Sequence, residues 1–244
     1  MSEGPTTPFR ATVIDAGVGN LANLARALRH AGGASGAPSE GPAPEIEVTA
    51  DPDRVAAGRC LLLPGVGAFA PPRERLRESG LEAALRSALA DGAWLLGVCV
   101  GFQLLFEESE EFGRTDGLGL LSGRVTRLPE GVPLPHIGWN ALHHLADHPL
   151  LGADGTADAA VGEGSHVYFV HSYAVDGAPE EEILARATHG RDFPAVAGRG
   201  RVLGTQFHPE KSGATGLAIL RNYLRLAGAN GSRPDVQPPD PEEP

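Results

Sequence analysis

The segment Trp94-Leu95-Leu96-Gly97-Val98-Cys99-Val100-Gly101-Phe102-Gln103 joins an apolar run to a helical pattern, and the fold follows from it. The run Trp94–Val98 is typical of a buried strand, and Phe102–Phe106 reads as a helix. Cys99 lies between them, with a glycine two residues before it and two residues after it. This is the spacing of a nucleophile elbow, a strained strand-to-helix turn in which larger side chains at the glycine positions would collide. The pattern predicts Cys99 as a nucleophile; a buried structural cysteine in a glycine-rich turn is the alternative.

The rest of the chain alternates strand-like and helix-like patterns. Before the elbow these are the strands Phe9–Asp15, Ile46–Thr49 and Cys60–Leu63 and the helices Leu21–His30 and Leu81–Ala90. Alternation of this kind indicates βαβ units, in which crossover helices connect parallel strands. After Gly123 come short predicted strands at Arg124–Leu128, Val167–Tyr173, Ile183–Thr188, Ala195–Gly198 and Val202–Phe207, followed by a helix at Leu217–Leu226. We predict a single α/β domain with a mixed, mostly parallel sheet flanked by helices, and with antiparallel strands added at one edge in the second half.

Composition separates this domain from its flanking segments. The patterned elements occupy residues 9–228. Residues 1–8 and the acidic, Pro-rich tail 229–244 contain little apolar surface that could offset the entropy of ordering, so we predict that both are disordered. Low-complexity loops are predicted near residues 31–44 and 152–164.

Charge and cysteine content exclude several classes of protein. The 244 residues carry 31 acidic and 20 basic side chains, and this net charge of −11 argues against a nucleic-acid or anionic-membrane binder. Two cysteines, Cys60 and Cys99, do not make a disulfide-rich secreted scaffold. The sequence has neither an apolar run of the roughly 20 residues that span a membrane nor a signal-peptide pattern at its start. A soluble, cytoplasmic protein is therefore predicted.

A histidine and a glutamate near the end of the chain are candidate partners for Cys99. His208 and Glu210 follow a predicted strand, and in extended backbone residues two apart project to the same side. Pro209 disfavours a helix there. In such a triad, His208 takes the thiol proton and later protonates the leaving amine, while Glu210 fixes the imidazole tautomer. Taken alone, His208 would be interpreted as a histidine packed at the end of a strand.

The chain resembles the class I, triad-type glutamine amidotransferases, because it has an elbow cysteine at 99 and a His-Pro-Glu segment at 208–210. Within them the chain is similar to the glutaminase subunits of imidazole glycerol phosphate synthase. The blocks that carry the resemblance cover, in order, nearly all of residues 9–227: Asp15–Leu21, Pro64–Phe69, Leu104–Ser109, Pro135–Asn140, Tyr168–Tyr173 and His208–Ser212. Val100 and Phe102 stand where these subunits usually have Leu and Met, a difference in packing around the elbow.

The resemblance implies roles for residues beyond the triad Cys99, His208 and Glu210. Backbone N–H groups of an oxyanion hole are implied at Gly65, Val66, Gly67 and Val100. Contacts to bound glutamine are implied at Gln103, Ser172 and Tyr173. Contacts to a partner subunit are implied at Asn20, Trp139 and Lys211.

The implied activity is hydrolysis of L-glutamine through a thioester on Cys99. The ammonia passes to a separate (β/α)8 cyclase subunit, which makes imidazole glycerol phosphate and an aminoimidazole carboxamide ribotide in histidine biosynthesis. No cofactor and no metal are expected, and 244 residues leave no room for the cyclase, so a heterodimer is expected. The alternatives are a glutaminase subunit of another pathway, such as pyridoxal phosphate synthesis, and a catalytically inactive binding subunit.

Three further features of the sequence are a group of histidines, a run of glutamates and the single lysine. A metal site at His143, His144, Asp147 and His148 is not favoured, because adjacent histidines on a strand point to opposite faces. The run of Glu107, Glu108, Glu110 and Glu111 is interpreted as a solvated face. Lys211 is the single lysine beside 19 arginines, which favours a site that needs a compact ammonium; a solvated surface lysine is the alternative. By resemblance, it pairs with a partner aspartate at the mouth of an ammonia passage.

Overall fold

A computed structural model describes residues 9–33, 44–152 and 161–229. Its strands are, in chain order, Arg10–Ile14 (β1), Glu45–Thr49 (β2), Cys60–Gly65 (β3), Trp94–Cys99 (β4), Glu108–Ser109 (β5), Thr115–Asp116 (β6), Arg124–Arg127 (β7), His136–Ala141 (β8), His166–His171 (β9), Tyr173–Asp176 (β10), Ile183–His189 (β11), Arg191–Arg199 (β12) and Val202–Thr205 (β13). Its α-helices are Leu21–Gly33 (α1), Pro52–Ala56 (α2), Ala70–Glu78 (α3), Leu81–Ala90 (α4), Val100–Gln103 (α5) and Gly213–Ala229 (α6). The predicted disordered segments were 1–8 and 229–244; residue 229 is the last residue of α6, and the rest of both segments, with most of the two predicted loops, lies outside the described residues.

Seven strands form the main sheet, in the order β11-β12-β13-β4-β3-β1-β2. The five strands from β13 to β2 are parallel to their neighbours, whereas β12 and β11 are added in antiparallel fashion at one edge. The mixed sheet with an antiparallel extension is confirmed. Parallel strands covered on both faces read as continuous apolar runs, which is why the runs in β3 and β4 predicted strands correctly.

The core lies around the two central strands. Every residue of β3 is buried, as is every residue of β4 except the half-buried Trp94. Helix α1 packs against α6, and α2 against α4. The hydroxyl of Tyr223 on α6 donates a hydrogen bond of 2.6 Å to the carbonyl of Leu61. The sheet is thus fixed to a helix whose buried polar atom has a partner.

The second half of the chain also builds two smaller sheets. One has the order β10-β7-β5-β6, and the other is the antiparallel pair β8–β9. The sequence predicted one strand over Val167–Tyr173, and this was wrong. The strand is interrupted at Ser172, because β9 pairs with β8 whereas β10 pairs with β7.

The described chain begins and ends at one place. A Cβ placed on Gly228, near the end of α6, would lie 3.8 Å from the ring of Phe9, which precedes β1. Strand β1 starts there and runs toward the carboxyl edge of the parallel strands, and α6 returns from that edge. Among the described residues, no helix has the length and apolarity that crossing a membrane requires.

Candidate active site

Cys99 closes β4, and α5 begins at the next residue. Its backbone has φ +55° and ψ −110°, a conformation that non-glycine residues rarely adopt. A Cβ on Gly101 would lie 1.7 Å from the carbonyl oxygen of Leu63, and a Cβ on Gly97 would lie 2.7 Å from the carbonyl oxygen of Gly101. Both glycines of the pattern are therefore required by close backbone approach. The helix spans one turn, Val100–Gln103, rather than the predicted Phe102–Phe106.

His208 lies three residues beyond β13, the parallel neighbour of β4. Its Nδ1 is 2.9 Å from Oε1 of Glu210, and both side chains are buried, with 2% and 3% of their surface exposed. A short 3₁₀ turn, Pro209–Lys211, lets Glu210 fold back onto the ring. The Ser212 hydroxyl donates to the His208 carbonyl at 2.6 Å and fixes the turn.

The charge state of His208 follows from its surroundings. Burial acts to lower its pKa, but the Cys99 and Glu210 side chains outweigh burial and raise the pKa to about 10. Since Glu210 only accepts, Nδ1 carries a hydrogen toward it. The buried Nε2 makes no hydrogen bond to an oxygen or nitrogen of the described residues, and it is available to the reaction.

One cavity of about 130 Å³ brings most of the sequence-predicted residues together. Its lining includes Cys99, His208, Val66, Gly67, Val100, Gln103, Ser172 and Tyr173. Glu210 lies behind His208 and outside this lining. Gly65 is also outside it and pairs in register with Cys99, where a Cβ would lie 2.8 Å from the backbone nitrogen of Gly101.

Gln103 holds one wall of the cavity. Its buried amide nitrogen donates to the carbonyl of Tyr173 at 2.8 Å and to Oε1 of Gln206 at 3.1 Å. The helix after the nucleophile is thereby attached to the start of β10.

The residues expected at a partner subunit lie outside the cavity. Trp139 is 56% exposed and packs edge-on against Tyr168, with 6.1 Å between the ring centres. The Lys211 ammonium lies 5.7 Å from the centre of the same tyrosine ring. Asn20 directly precedes α1, whose residue Leu24 donates to its carbonyl.

Glu111 is a residue of the cavity that the sequence did not predict. Its carboxylate accepts a hydrogen bond of 2.8 Å from the N–H of Phe69, and burial raises its pKa. The interpretation of the glutamate run as a solvated face fits the exposed Glu107 and Glu110 but is wrong for Glu111. Its neighbours in the run have other partners, so nothing in the sequence distinguished it.

The histidines considered for a metal site have other partners. His143 forms an isolated bridge with Arg186 and bonds the Thr188 hydroxyl at 2.9 Å. His144 adopts a positive φ of 51°, so the two do not lie on a regular strand as the sequence argument assumed. Nδ1 of His148 accepts from the N–H of Leu150. Within residues 9–33, 44–152 and 161–229, no group of three histidine, cysteine or acidic side chains is arranged to hold a metal.

Comparison with known proteins agrees with this geometry. The family model for class-I glutamine amidotransferases matches residues 12–226. Imidazole glycerol phosphate synthase subunit HisH of Geobacillus thermodenitrificans (strain NG80-2) is 49% identical over 220 residues, covering 88% of this chain and 94% of the relative. The subunit HisH of Symbiobacterium thermophilum is 46% identical over 217 residues, covering 89% and 94%.

A solved structure supports the fold. A crystal structure of a glutamine amidotransferase has a TM-score of 0.66 at 23% identity and covers 89% of this chain and 98% of that chain. The family match and the sequence identities to the subunits support a more specific assignment than the fold alone. The chain belongs to the class I glutamine amidotransferases, among the HisH subunits of imidazole glycerol phosphate synthase.

Proposed function

We propose that this chain is the glutaminase subunit of an imidazole glycerol phosphate synthase, acting in histidine biosynthesis in the cytoplasm. It hydrolyses L-glutamine to glutamate and ammonia and passes the ammonia to a cyclase subunit. The observation that carries the proposal is the cavity where Cys99 and His208 meet, with Glu210 bonded behind His208, in a chain 49% identical to a HisH subunit.

The reaction begins with the proton of the Cys99 thiol on Nε2 of His208, so that the sulfur attacks the side-chain amide carbon of glutamine as a thiolate. The carbonyl π bond opens and leaves a negative oxygen on a tetrahedral carbon. The raised pKa of His208 means that the imidazole carries two protons at neutral pH. Its Nε2 proton goes to the leaving nitrogen as the C–N bond breaks, so ammonia departs and a thioester remains. Water then attacks the thioester and gives one proton to Nε2. The C–S bond breaks, the Cys99 thiolate leaves, and the new carboxyl group loses its remaining proton to solvent, so glutamate is released and the starting charges of Cys99 and His208 return.

The oxyanion needs N–H donors placed before the reaction. Val100 follows the nucleophile directly, so its N–H is one proposed donor. The other comes from the Gly65–Gly67 segment, where Val66 and Gly67 line the cavity. Gly67 has φ +84° and open space around its Cα, which lets this peptide lie against substrate.

The amino-acid end of glutamine carries an ammonium and a carboxylate. Glu111 supplies a negative group in the cavity, and we assign it to the substrate ammonium. The backbone of Ser172 and Tyr173 supplies the neighbouring polar contacts. Glutamine is thus held at both ends, with its side-chain amide at Cys99.

The cyclase is proposed as a separate (β/α)8 subunit. The similar proteins are named as subunits, and ammonia released into water would be protonated and lost. Trp139 and Lys211 lie together at the surface around Tyr168 and are proposed, with Asn20, to contact that partner.

Replacing Cys99 by Ala tests the proposal in the reconstituted complex with the cyclase of the same organism. We expect glutamine-dependent formation of the imidazole product to fall by about 10³-fold or more, as for removal of a nucleophile. Synthesis from ammonium salts should persist, because the cyclase chemistry lies on the other subunit. The readouts are glutamate release and imidazole product with each nitrogen source.

Cys60→Ala is the matched control. Cys60 is fully buried beside Tyr223, and burial raises the pKa of its thiol to about 12, so it is not a nucleophile. This variant should keep glutamine-dependent synthesis and lose about 1 kcal/mol of stability. Full glutamine-dependent activity in the Cys99→Ala complex would refute the proposal.

A further inference from the structure

A series of side-chain hydrogen bonds runs from the cavity wall into the pair β8–β9. Nδ1 of His171 is 2.8 Å from the carbonyl oxygen of Tyr173. Nε2 of His171 is 3.0 Å from Nδ1 of His136, the residue directly opposite on β8. Nε2 of His136 is 3.3 Å from Nδ2 of Asn140. No part of the proposed reaction uses His136 or Asn140.

The position of every hydrogen in this series follows from its two ends. The Tyr173 carbonyl can only accept, so His171 carries its hydrogen on Nδ1 and leaves Nε2 as an acceptor. His136 must then donate from Nδ1, which makes its own Nε2 an acceptor. The Asn140 amide nitrogen satisfies that atom and also donates to the Thr188 carbonyl at 2.8 Å. Its amide oxygen accepts from the N–H of Ala141 at 2.8 Å, which fixes the orientation of the amide.

The surroundings keep both imidazole rings uncharged and fix their orientation. His136 is 5% exposed and His171 is 7% exposed. The His136 ring is stacked on His189 and on Phe169, with 4.1 and 4.8 Å between ring centres. Burial and His189 lower the pKa of His136 to about 4. Burial lowers the pKa of His171 to about 3, against the effect of its bond to Tyr173 and assisted by His136, His189 and Arg191.

The series ends at a carbonyl of the cavity wall that receives no hydrogen bond from the residue paired with it. Leu128 donates to the Ser172 carbonyl, but the N–H of Arg127, which is opposite Tyr173, donates to Glu110. The chain changes sheets at Ser172, between β9 and β10. The Tyr173 carbonyl lies just past that break and accepts from both His171 and Gln103. Two donors on one carbonyl fill its two acceptor positions and fix the peptide plane.

We propose that His136 and His171 are positioning residues for glutamine. His171, with its hydrogen on Nδ1, holds the Tyr173 carbonyl, and His136 holds His171 in that tautomer. Together they fix the Tyr173–Ala174 peptide and so the backbone of Tyr173, which with Ser172 is proposed to contact glutamine. This inference rests on the proposed function, since it takes glutamine as the molecule in the cavity.

The tautomers can be read without substrate. In ¹⁵N-labelled protein, long-range proton–nitrogen spectra distinguish Nδ1–H from Nε2–H imidazoles, and His136→Asn and His171→Asn assign the signals. We expect both residues as Nδ1–H tautomers with unchanged spectra between pH 6 and pH 8, because their pKa values of about 4 and 3 lie below this window. An Nε2–H tautomer at either residue, or titration within this window, would overturn the inference.

The positioning role is measured with His136→Leu in the reconstituted complex. Leucine leaves Nε2 of His171 as a buried acceptor with no donor. KM for glutamine should therefore rise about fivefold, which corresponds to the loss of one ordinary hydrogen bond, while kcat changes less. His136→Asn returns an N–H near the position of Nδ1 and should recover most of the loss. An unchanged KM in a folded His136→Leu protein contradicts the inference.

His143→Leu is the control, because His143 bonds Thr188 and does not line the cavity. It should leave KM unchanged. An inactive wild-type complex would refute the proposed function, whereas wrong tautomers in an active complex would refute only this inference.

Discussion

At His208, burial and the neighbouring groups act in opposite directions on the charge of the imidazole. A buried histidine is ordinarily neutral, as His136 and His171 are. His208 differs because Glu210 and Cys99 flank its two ring nitrogens, and its pKa rises to about 10. Three buried histidines near one cavity thus hold different charges, and only the charged one has a carboxylate bonded to its ring.

Replacing Glu210 by Gln should lower the pKa of His208, because it removes one of the two groups that raise it. An unfolded histidine has a pKa of about 6.5. The stability that charged His208 contributes is therefore fully present below pH 6.5 and lost as the pH rises through about 10. We expect the free energy of unfolding of the wild type to exceed that of the variant most at the acid end of this window. An NMR titration of His208 gives the pKa directly, and a wild-type value near 6.5 would contradict the prediction.

Replacing Glu111 by Gln should raise KM for glutamine about tenfold or more, with a smaller change in kcat, because a charged hydrogen bond to the substrate ammonium is lost. Gln keeps an acceptor for the Phe69 N–H, so the fold is preserved. Glu110→Gln is the matched control, since Glu110 accepts from the N–H of Arg127 and does not line the cavity. Steady-state kinetics with glutamine measure both, and equal KM values would show that Glu111 has no role in binding.

The strands and helices whose sequences are continuously apolar could be predicted. Strands β3 and β4 are such cases, and the elbow between β4 and α5 was recognised from two glycines. Helix α3 was missed, because its sequence buries only Pro72 and Leu76 and shows little apolar periodicity. Helix α2 is a short segment that begins at Pro52 and is capped by the carboxylate of Asp51.

Elements whose bounds depend on tertiary partners were not predictable. The strand-favouring residues Val167–Val170 and Tyr173–Val175 are separated by only two residues, so only the change of pairing partner divides the two strands. The same limit applies to the site. Cys99, His208 and Glu210 stand in recognisable local patterns, whereas Glu111 reaches the cavity because the turn after β5 lies against Phe69. His136 and His171 are brought together by the β8–β9 register alone.

For the whole molecule, the surface around Tyr168 is the place where a partner is expected to act on the site. Lys211 belongs to the same 3₁₀ turn as Glu210, so one short turn presents a cation outward and a carboxylate inward. A displacement of Lys211 by a bound partner would be transmitted to His208 through the backbone of this short turn.

Replacing Lys211 by Ala or Arg should either weaken binding of the cyclase or increase the glutamate released per imidazole product. The expected loss of affinity is about tenfold or more, as for loss of one member of a buried charged pair. Arginine is expected to fail because a planar guanidinium does not replace a compact ammonium. Arg201→Ala is the control, since Arg201 precedes β13 at the opposite edge of the sheet. Titration calorimetry and product ratios measure both effects, and wild-type values for both Lys211 variants would make it an ordinary surface charge.

The proximity of Phe9 and Gly228 determines where this protein can be fused to a tag or tethered to a surface. Both residues lie at the amino edge of the parallel strands, whereas the cavity and the Tyr168 surface lie beyond the carboxyl edge. A fluorescent protein, an affinity tag or a surface tether fused at either position would lie at the amino edge of the sheet, away from the cavity. A short linker between the two would close the backbone into a ring, so that a new opening could be cut elsewhere without separating the central strands.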